Sequence, residues 1–435
     1  MVFNKGVAMA FDFRDFDSEY LDESFIEWLV DEQWVEIGSH FGRLWDYYHN
    51  QMFELNNALG TDRYTDETGR NYVQAQEYGL PPRITGVVYS GAGGISGGRR
   101  IGDIQRKEVV IENDIAWRIN AMVDFLFGKG VKFISKASDA GKRREIEKIV
   151  KSVFSSNGGA GFFQDMAVLG SVYGFVDCLI RPDIDLLREN QTSVSRLDSA
   201  ADFSGSFQNS SSFTSSSSFH SILKTVSTVG LELIEAPRAL PILDENDYRK
   251  INYYVQNFHQ YKNAVAKSGS FLSQFLNGRS SDCQRERELI TEVIGPDWWQ
   301  RYENRELQSE GVNPFGLVPV VHIQNFAQPY CYEGISDVEQ LIGLQDELNT
   351  RLSDRASRIT FQSFKMYLAK GLEGFEDKPV SPGRMWCTDN TEASVEQFGG
   401  DSATPNEDMH IQEIREAMDK ISGVPRKSKA AIHLE

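Results

Sequence analysis

Two amphipathic helices separated by a short β-forming stretch lie near the C-terminal end, and this order limits the fold more than any other feature. The first helix is predicted from about 336 to 360, with Val338, Leu341, Ile342, Leu348, Leu352 and Ile359 along one apolar edge. Glu333-Gly334-Ile335-Ser336-Asp337 reads as the turn and cap before it. Phe364 to Leu368 and Arg384 to Thr388 read as strands, divided by Gly371, Gly374 and Pro379, and 396–407 reads as a loop. The second helix is expected over about 408–421, with Ile411, Ile414, Met418 and Ile421 in register and Gly423 and Pro425 as its stop. Both helices are narrowly apolar, which suits packing against further copies. Arg351, Arg355 and Arg358 share another face. They read as a functional cationic face or as a solvated one paired by Asp346, Glu347 and Asp354.

Upstream the pattern is mixed. Trp34, Ile37, Phe41, Leu44, Trp45, Tyr48 and Met52 form a helical stripe that reads as core. Residues 57–108 read as a long loop with one strand at Thr85 to Tyr89. A helix is expected over about 108–127, using Ile111, Ile115, Ile119, Met122, Val123 and Leu126, and ending at Gly128 and Gly130. Val131 to Ile134 reads as a short strand, and 141–154 as a solvated helix of mixed charge. A helix from Phe162 to Gly170 leads into a strand at Val172 to Ile180. The run Ser210 to Ser218 cannot bury enough apolar surface to offset its ordering entropy, so 190–230 reads as a flexible insertion. Strands are expected at Leu231 to Ile234, Ala239 to Leu243, around Tyr253 to Val255, at Gln284 to Tyr302 and at Val318 to Ile323.

Few chemistries survive a search of the motifs. Gly91 to Gly98 lacks the Lys and Ser/Thr of a P-loop, and Ser96 stands in the third glycine slot of a dinucleotide fingerprint. The seven histidines are dispersed with no HExxH, and Cys178, Cys283, Cys331 and Cys387 form no CxxC pair, so neither metal nor cofactor is expected. Pro182-Asp183-Ile184-Asp185 is a faint nuclease-like pattern that reads as a surface turn. No GxSxG elbow occurs. No apolar run approaches the ~18 residues of a membrane span. With a net charge of −18, the chain as a whole is not built to grip nucleic acid, which demands cations at phosphates.

Several stretches, taken in order, resemble the tailed-phage portal (connector) family. These are Leu44-Trp45-Asp46-Tyr47-Tyr48, Asn113 to Lys132, Ala167 to Gly174, Gly316 to Val321, Gly334 to Val338, and Ile421-Ser422-Gly423-Val424-Pro425. The resemblance covers most of 30–425. It implies an α+β, portal-like fold assembled as a ring. Residues 1–334 would be a mixed α/β wing carrying the serine-rich insertion, and 335–358 the first stem helix. A small β-rich clip would occupy 359–407, the second stem helix 408–421, and the start of a tunnel loop 422–435. A further wing helix and crown would follow in the family, whereas this sequence stops at Glu435.

The resemblance also implies a non-catalytic DNA conduit at one capsid vertex, twelve-fold in the virion and assembled in the host cytoplasm. Its partners would be double-stranded DNA, the large terminase subunit, a head-completion or adaptor protein, the major capsid protein and the scaffold. DNA-contact candidates are Arg351, Arg355, Arg358 and the terminal Arg426, Lys427 and Lys429, whose other reading is a solvated tail. Stem packing is expected from Val338, Leu341, Ile342, Leu348, Leu352, Ile411, Ile414 and Met418. The alternatives are a metal-dependent phage nuclease and a non-ring virion adaptor or scaffold.

Overall fold

The computed structural model describes residues 21, 23–54, 70–88, 99–100, 107–181, 229–263, 285–363, 366–370, 392, 394–398 and 405–426. The glycine run, Pro182 to Asp185, the serine-rich stretch, Arg384 to Thr388, Cys283 and Cys387 lie outside these residues. The chain divides into two compact units. One contains Met1–Tyr48 and Ala116–Gln340, and the other His49–Ile115 and Leu341–Glu435.

In the first unit, helices α1 (Glu23–Trp28) and α2 (Trp34–His49) are joined by one π-helical turn. The expected stripe holds at Phe41 and Leu44, which are buried, but it stops short of Met52. Asn50 takes a left-handed φ of 44°, and Met52 lies exposed on a strand beyond it. Helix α3 (Asp114–Phe127) starts at Asp114 instead of 108 and buries Ile119 and Val123, whereas Leu126 is exposed. Val131 to Ile134 forms no strand. Phe133 instead stacks on Phe154, centroids 5.0 Å apart, and tilts against Phe163. These rings belong to α4 (Ala140–Ser156) and α5 (Ala160–Tyr173). Asp139 caps α4 by accepting the Lys142 N–H at 2.9 Å.

The unit's strands form two antiparallel sheets. They are β1 (Phe175–Arg181), β2 (Gly230–Glu235), β3 (Ala239–Leu243), β4 (Ile251–Asn263), β5 (Arg285–Ile294), β6 (Trp298–Glu303), β7 (Glu306–Val312) and β8 (Val320–Gln324). One sheet runs β7-β6-β5-β4-β3 and the other β8-β1-β2. The single strand expected over Gln284 to Tyr302 is a hairpin broken at Gly295 to Asp297. Strand β7 follows a two-residue turn at Asn304 and Arg305, both at positive φ, the geometry of a tight twisted hairpin. Against the five-stranded sheet pack Leu21, Ile26, Leu29 and Val30, meeting Leu240, Val255, Val293 and Tyr302.

A buried polar knot ties the two sheets. Asp177 of β1 is fully buried and accepts from Tyr254 Oη of β4 at 2.7 Å and Tyr332 Oη at 2.9 Å. One ring nitrogen of His322 on β8 lies 2.7 Å from the same carboxylate. Burial, with the Asp177 charge beside them, pushes both phenols well above the ordinary tyrosine range.

The α5–β1 junction is set by two glycines. Gly174 sits at φ +93°, and a Cβ there would lie 2.3 Å from the Gly334 carbonyl. A Cβ at Gly334 would meet the Gly174 oxygen at the same distance. Backbone bonds from Asn325 N–H to Gly174 O (2.8 Å) and Asp337 N–H to Ser171 O (2.9 Å) complete the contact.

In the second unit, Met52–Glu54 pairs with Tyr72–Gln74, and Val87–Val88 with Arg99–Arg100. The strand expected at Thr85 is preceded by a short helix, Pro82–Thr85, that Gly86 ends at φ 70°. Two longer helices follow, α6 (Ile342–Ser363) and α7 (Pro405–Ser422), flanking a hairpin of β9 (Met366–Lys370) and β10 (Ser394–Phe398). Helix α6 starts six residues later than expected. Ser336 Oγ accepts from Val338 and Glu339 N–H (3.1 and 3.3 Å), and a 3₁₀ turn at Glu339–Leu341 precedes the helix. Part of the loop expected at 396–407 is strand β10, and Pro405 to Glu407 already belong to α7, where proline suits a first helical turn.

Candidate functional site

The helix–strand–helix segment is held together in two ways. The apolar edge is buried within the chain itself: Leu341, Ile342, Leu348 and Leu352 of the first half, and Ile411, Ile414 and Met418 of the second. Leu348 and Met418 are wholly excluded from solvent, each contributing about 1.5–3 kcal/mol of apolar burial. Val338 is buried too, within the other unit. Ile359 and Ile421 stay about half exposed.

The second fastening was not legible as apolar periodicity. Gln345, Asn349, Ser353 and Ser357 recur every four residues and form a buried polar stripe on α6. Three of them receive the extended backbone of residues 110–114. Val110 N–H donates to Ser353 Oγ at 3.0 Å, Glu112 N–H to Asn349 Oδ1 at 3.0 Å and Asp114 N–H to Gln345 Oε1 at 3.2 Å. Gln345 Nε2 donates back to the Glu112 carbonyl at 2.5 Å, and Asn349 Nδ2 to Gln76 Oε1 at 2.9 Å. The periods match: four helical residues rise about 6 Å, and two extended residues about 6.6 Å. The pairing therefore runs three steps without strain. It also explains why α3 begins at Asp114: the residues before it are committed to α6. The available signal was a run of Gln, Asn and Ser at spacing four, which reads from sequence as a solvated face.

The cationic face is internally compensated. Arg351 Nε pairs with Glu347 at 2.6 Å, and its guanidinium lies 3.7 Å from Asp354. Arg355 pairs with Asp408 at 2.8 Å, Arg358 with Glu407, and Asp354 also holds Arg83 at 2.6 Å. The pairings show that α7 runs antiparallel to α6. The partners split between those visible from α6 alone, Glu347 and Asp354, and those that α7 brings, Glu407 and Asp408. Arg426, just beyond the α7 stop at Gly423 (φ +67°), contacts Glu112 at 3.1 Å and Asp114, and Arg415 also meets Glu112. The structure thus brings Arg351, Arg355 and Arg358 onto one helix face and places Arg426 apart, against residues 112–114. Lys427 and Lys429 lie outside the described residues.

Among the described residues no three His, Cys, Asp or Glu side chains cluster so as to hold a metal ion, and no helix is long and apolar enough to cross a membrane. The arrangement is one of packing faces and neutral ion pairs.

The profile of the family described as phage portal protein, SPP1 Gp6-like, matches residues 118–425. No curated protein sequence matches the chain. Among solved structures, a chain from the neck of an empty GTA particle, computed with C6 symmetry, aligns with 11% identity and a TM-score of 0.38. It covers 74% of this chain and 68% of that one. The family profile spans well over half of the sequence, from α3 through both sheets and both long helices to the residue before Arg426. The chain belongs to the SPP1 Gp6-like family of phage portal proteins.

Proposed function

We propose that this chain forms the portal ring at one vertex of a tailed-phage capsid, twelve copies around an axial channel, through which the genome is packaged and later ejected. The observation that carries this reading is the family match over 118–425. In this reading 1–334 is the wing, 335–358 the first stem helix, 359–407 the clip, 408–421 the second stem helix and 422–435 the start of the tunnel loop. The ring assembles in the host cytoplasm with scaffold and major capsid protein. Its clip receives the large terminase subunit during packaging and a head-completion or adaptor protein afterwards. The protein itself performs no catalysis.

The charge arrangement supports the conduit role. A free cation facing the channel would bind phosphate and release counterions, slowing passage. Arg351, Arg355 and Arg358 would meet DNA as halves of ion pairs, presenting dipoles with little net charge. Lys427 and Lys429 are proposed as the stronger phosphate contacts. Negative-stain imaging of the purified protein tests the reading: rings with a central hole are expected. Monomers at high concentration, or DNA cleavage dependent on a divalent ion, would overturn it.

A further inference from the structure

The first unit carries a basic, apolar surface that nothing in the ring role assigns. Residues 125–151 hold eight Lys or Arg against three Asp or Glu, in a chain of net charge −18. Lys132, Lys136, Lys142, Arg144, Lys148 and Lys151 are exposed and make no ion pair among the described residues. Between them stand apolar side chains that a solvated face does not need. Phe125 is 89% exposed, Ile134 73% and Leu126 57%. They flank Phe127 and Phe133, whose rings both lie against Phe163, so the apolar and basic residues surround one aromatic stack. Helix α4 itself buries no residue.

The chain holds a counterpart. Residues 11–25, Phe11-Asp12-Phe13-Arg14-Asp15-Phe16-Asp17-Ser18-Glu19-Tyr20-Leu21-Asp22-Glu23-Ser24-Phe25, interleave six carboxylates with aromatics and contain a single cation. We propose that the acidic-aromatic segment ahead of Leu21 docks on the 125–151 surface of a neighbouring copy, carboxylates against lysines and phenyl rings on Phe125, Leu126 and Ile134. Leu21 anchors the segment in the cluster under the five-stranded sheet, to which no residue of 125–151 contributes, and the proposal assigns the segment to a neighbour's surface. In extended form the twenty residues before Leu21 reach up to roughly 70 Å. Nucleic acid is the poorer occupant, since a duplex would satisfy the lysines yet leave the phenyl and aliphatic groups in water. Copies held side by side supply the high effective concentration that makes a short, weak contact persistent.

The proposal rests on the portal reading only in requiring adjacent copies. A photoreactive benzoylphenylalanine at position 16 of the full-length protein, assembled from mixed light and heavy isotope copies, tests it. Ring formation is imaged separately, so a failed ring and a failed contact are distinguishable. Cross-links from position 16 to 125–151 joining light and heavy copies are expected. The triple variant Lys142→Glu, Arg144→Glu, Lys148→Glu should lower their yield at least tenfold while leaving circular dichroism unchanged. Adding Asp12→Lys, Asp15→Lys and Asp17→Lys should restore it. Cross-links confined to one copy, directed elsewhere or to co-purified nucleic acid, or insensitive to charge reversal, would each overturn the assignment.

Discussion

Replacing Asn349 with alanine isolates the polar stripe on α6. The side chain accepts the Glu112 N–H at 3.0 Å and donates to Gln76 Oε1 at 2.9 Å, and the residue is fully buried. Alanine offers neither group a partner. Gln345 Nε2 also loses its bond to Asn349 Oδ1 at 3.1 Å, and since a buried polar group left without a partner costs about 1–3 kcal/mol, the three groups cost about 3–9 kcal/mol together. The Glu112 amide alone, losing about 1–3 kcal/mol of protection, should exchange with deuterium roughly 5- to 150-fold faster, since 1.4 kcal/mol is tenfold. Asn349→Asp keeps the acceptor for Glu112 but loses the donor to Gln76, so Glu112 should remain better protected than in the alanine variant. Exchange followed by mass spectrometry over residues 107–115 reads all of this. If Asn349→Ala left that peptide's protection unchanged, the stripe would be incidental and the late start of α3 would need another cause.

Other expectations concern single sites. Gly174→Ala forces a side chain onto a left-handed backbone 2.3 Å from the Gly334 carbonyl, and should destabilise by more than about 2 kcal/mol in urea unfolding. Gly343→Ala on α6, with nothing within 4 Å, should stabilise by about 0.5–1 kcal/mol. Burial alone would raise the Glu292 carboxyl, but Arg181 and Arg301 outweigh it and hold it below the ordinary range. Its stabilisation is therefore complete above the unfolded value of about 4.3 and fades as pH falls toward its lowered native value. Acid unfolding of Glu292→Gln should show a shallower slope in that window, and an unchanged slope would remove Glu292 from the account. Cys331 is exposed, whereas Cys178 is buried with its thiol pushed up to about 11 by burial and the Asp177 charge beside it. Iodoacetamide at pH 8 followed by peptide mapping should label Cys331 and spare Cys178 until the protein unfolds.

Much of this architecture was legible because apolar periodicity reports burial directly. Leu341, Leu348, Ile411 and Met418 were read as packing residues and are buried. The stop at Gly423 was read from glycine and a following proline, and Gly423 takes the left-handed φ that a helix exit needs. What failed has a common cause, which is that polar residues committed to specific long-range partners look like solvated ones. Gln345, Asn349 and Ser353 carry no sequence signal that sets them apart from a solvated face, because their partners at 110–114 lie more than two hundred residues away. Strand β7 was missed since its alternation, Glu306 to Val312, is that of an edge strand with no strongly apolar side. Val131 to Ile134 has strand propensity, but Phe133 finds helix rings and no strand among the described residues pairs with it. Among the arginines, Glu347 and Asp354 were foreseen within the helix, while Asp408 and Glu407 could be placed only once α7 was seen to run antiparallel.

The pairing of residues 110–114 with α6 has a mechanical meaning. An apolar interface is nearly isotropic and lets a helix creep along its axis by fractions of an ångström at little cost. Three hydrogen-bonded teeth spaced about 6 Å apart behave as a detent instead. Any axial slip short of a full turn, about 5.4 Å, must break all three together, because the residues between the teeth on that face of α6 accept no hydrogen bond from 110–114. Force applied along α6 therefore loads the backbone at Val110, Glu112 and Asp114 before the helix can shift.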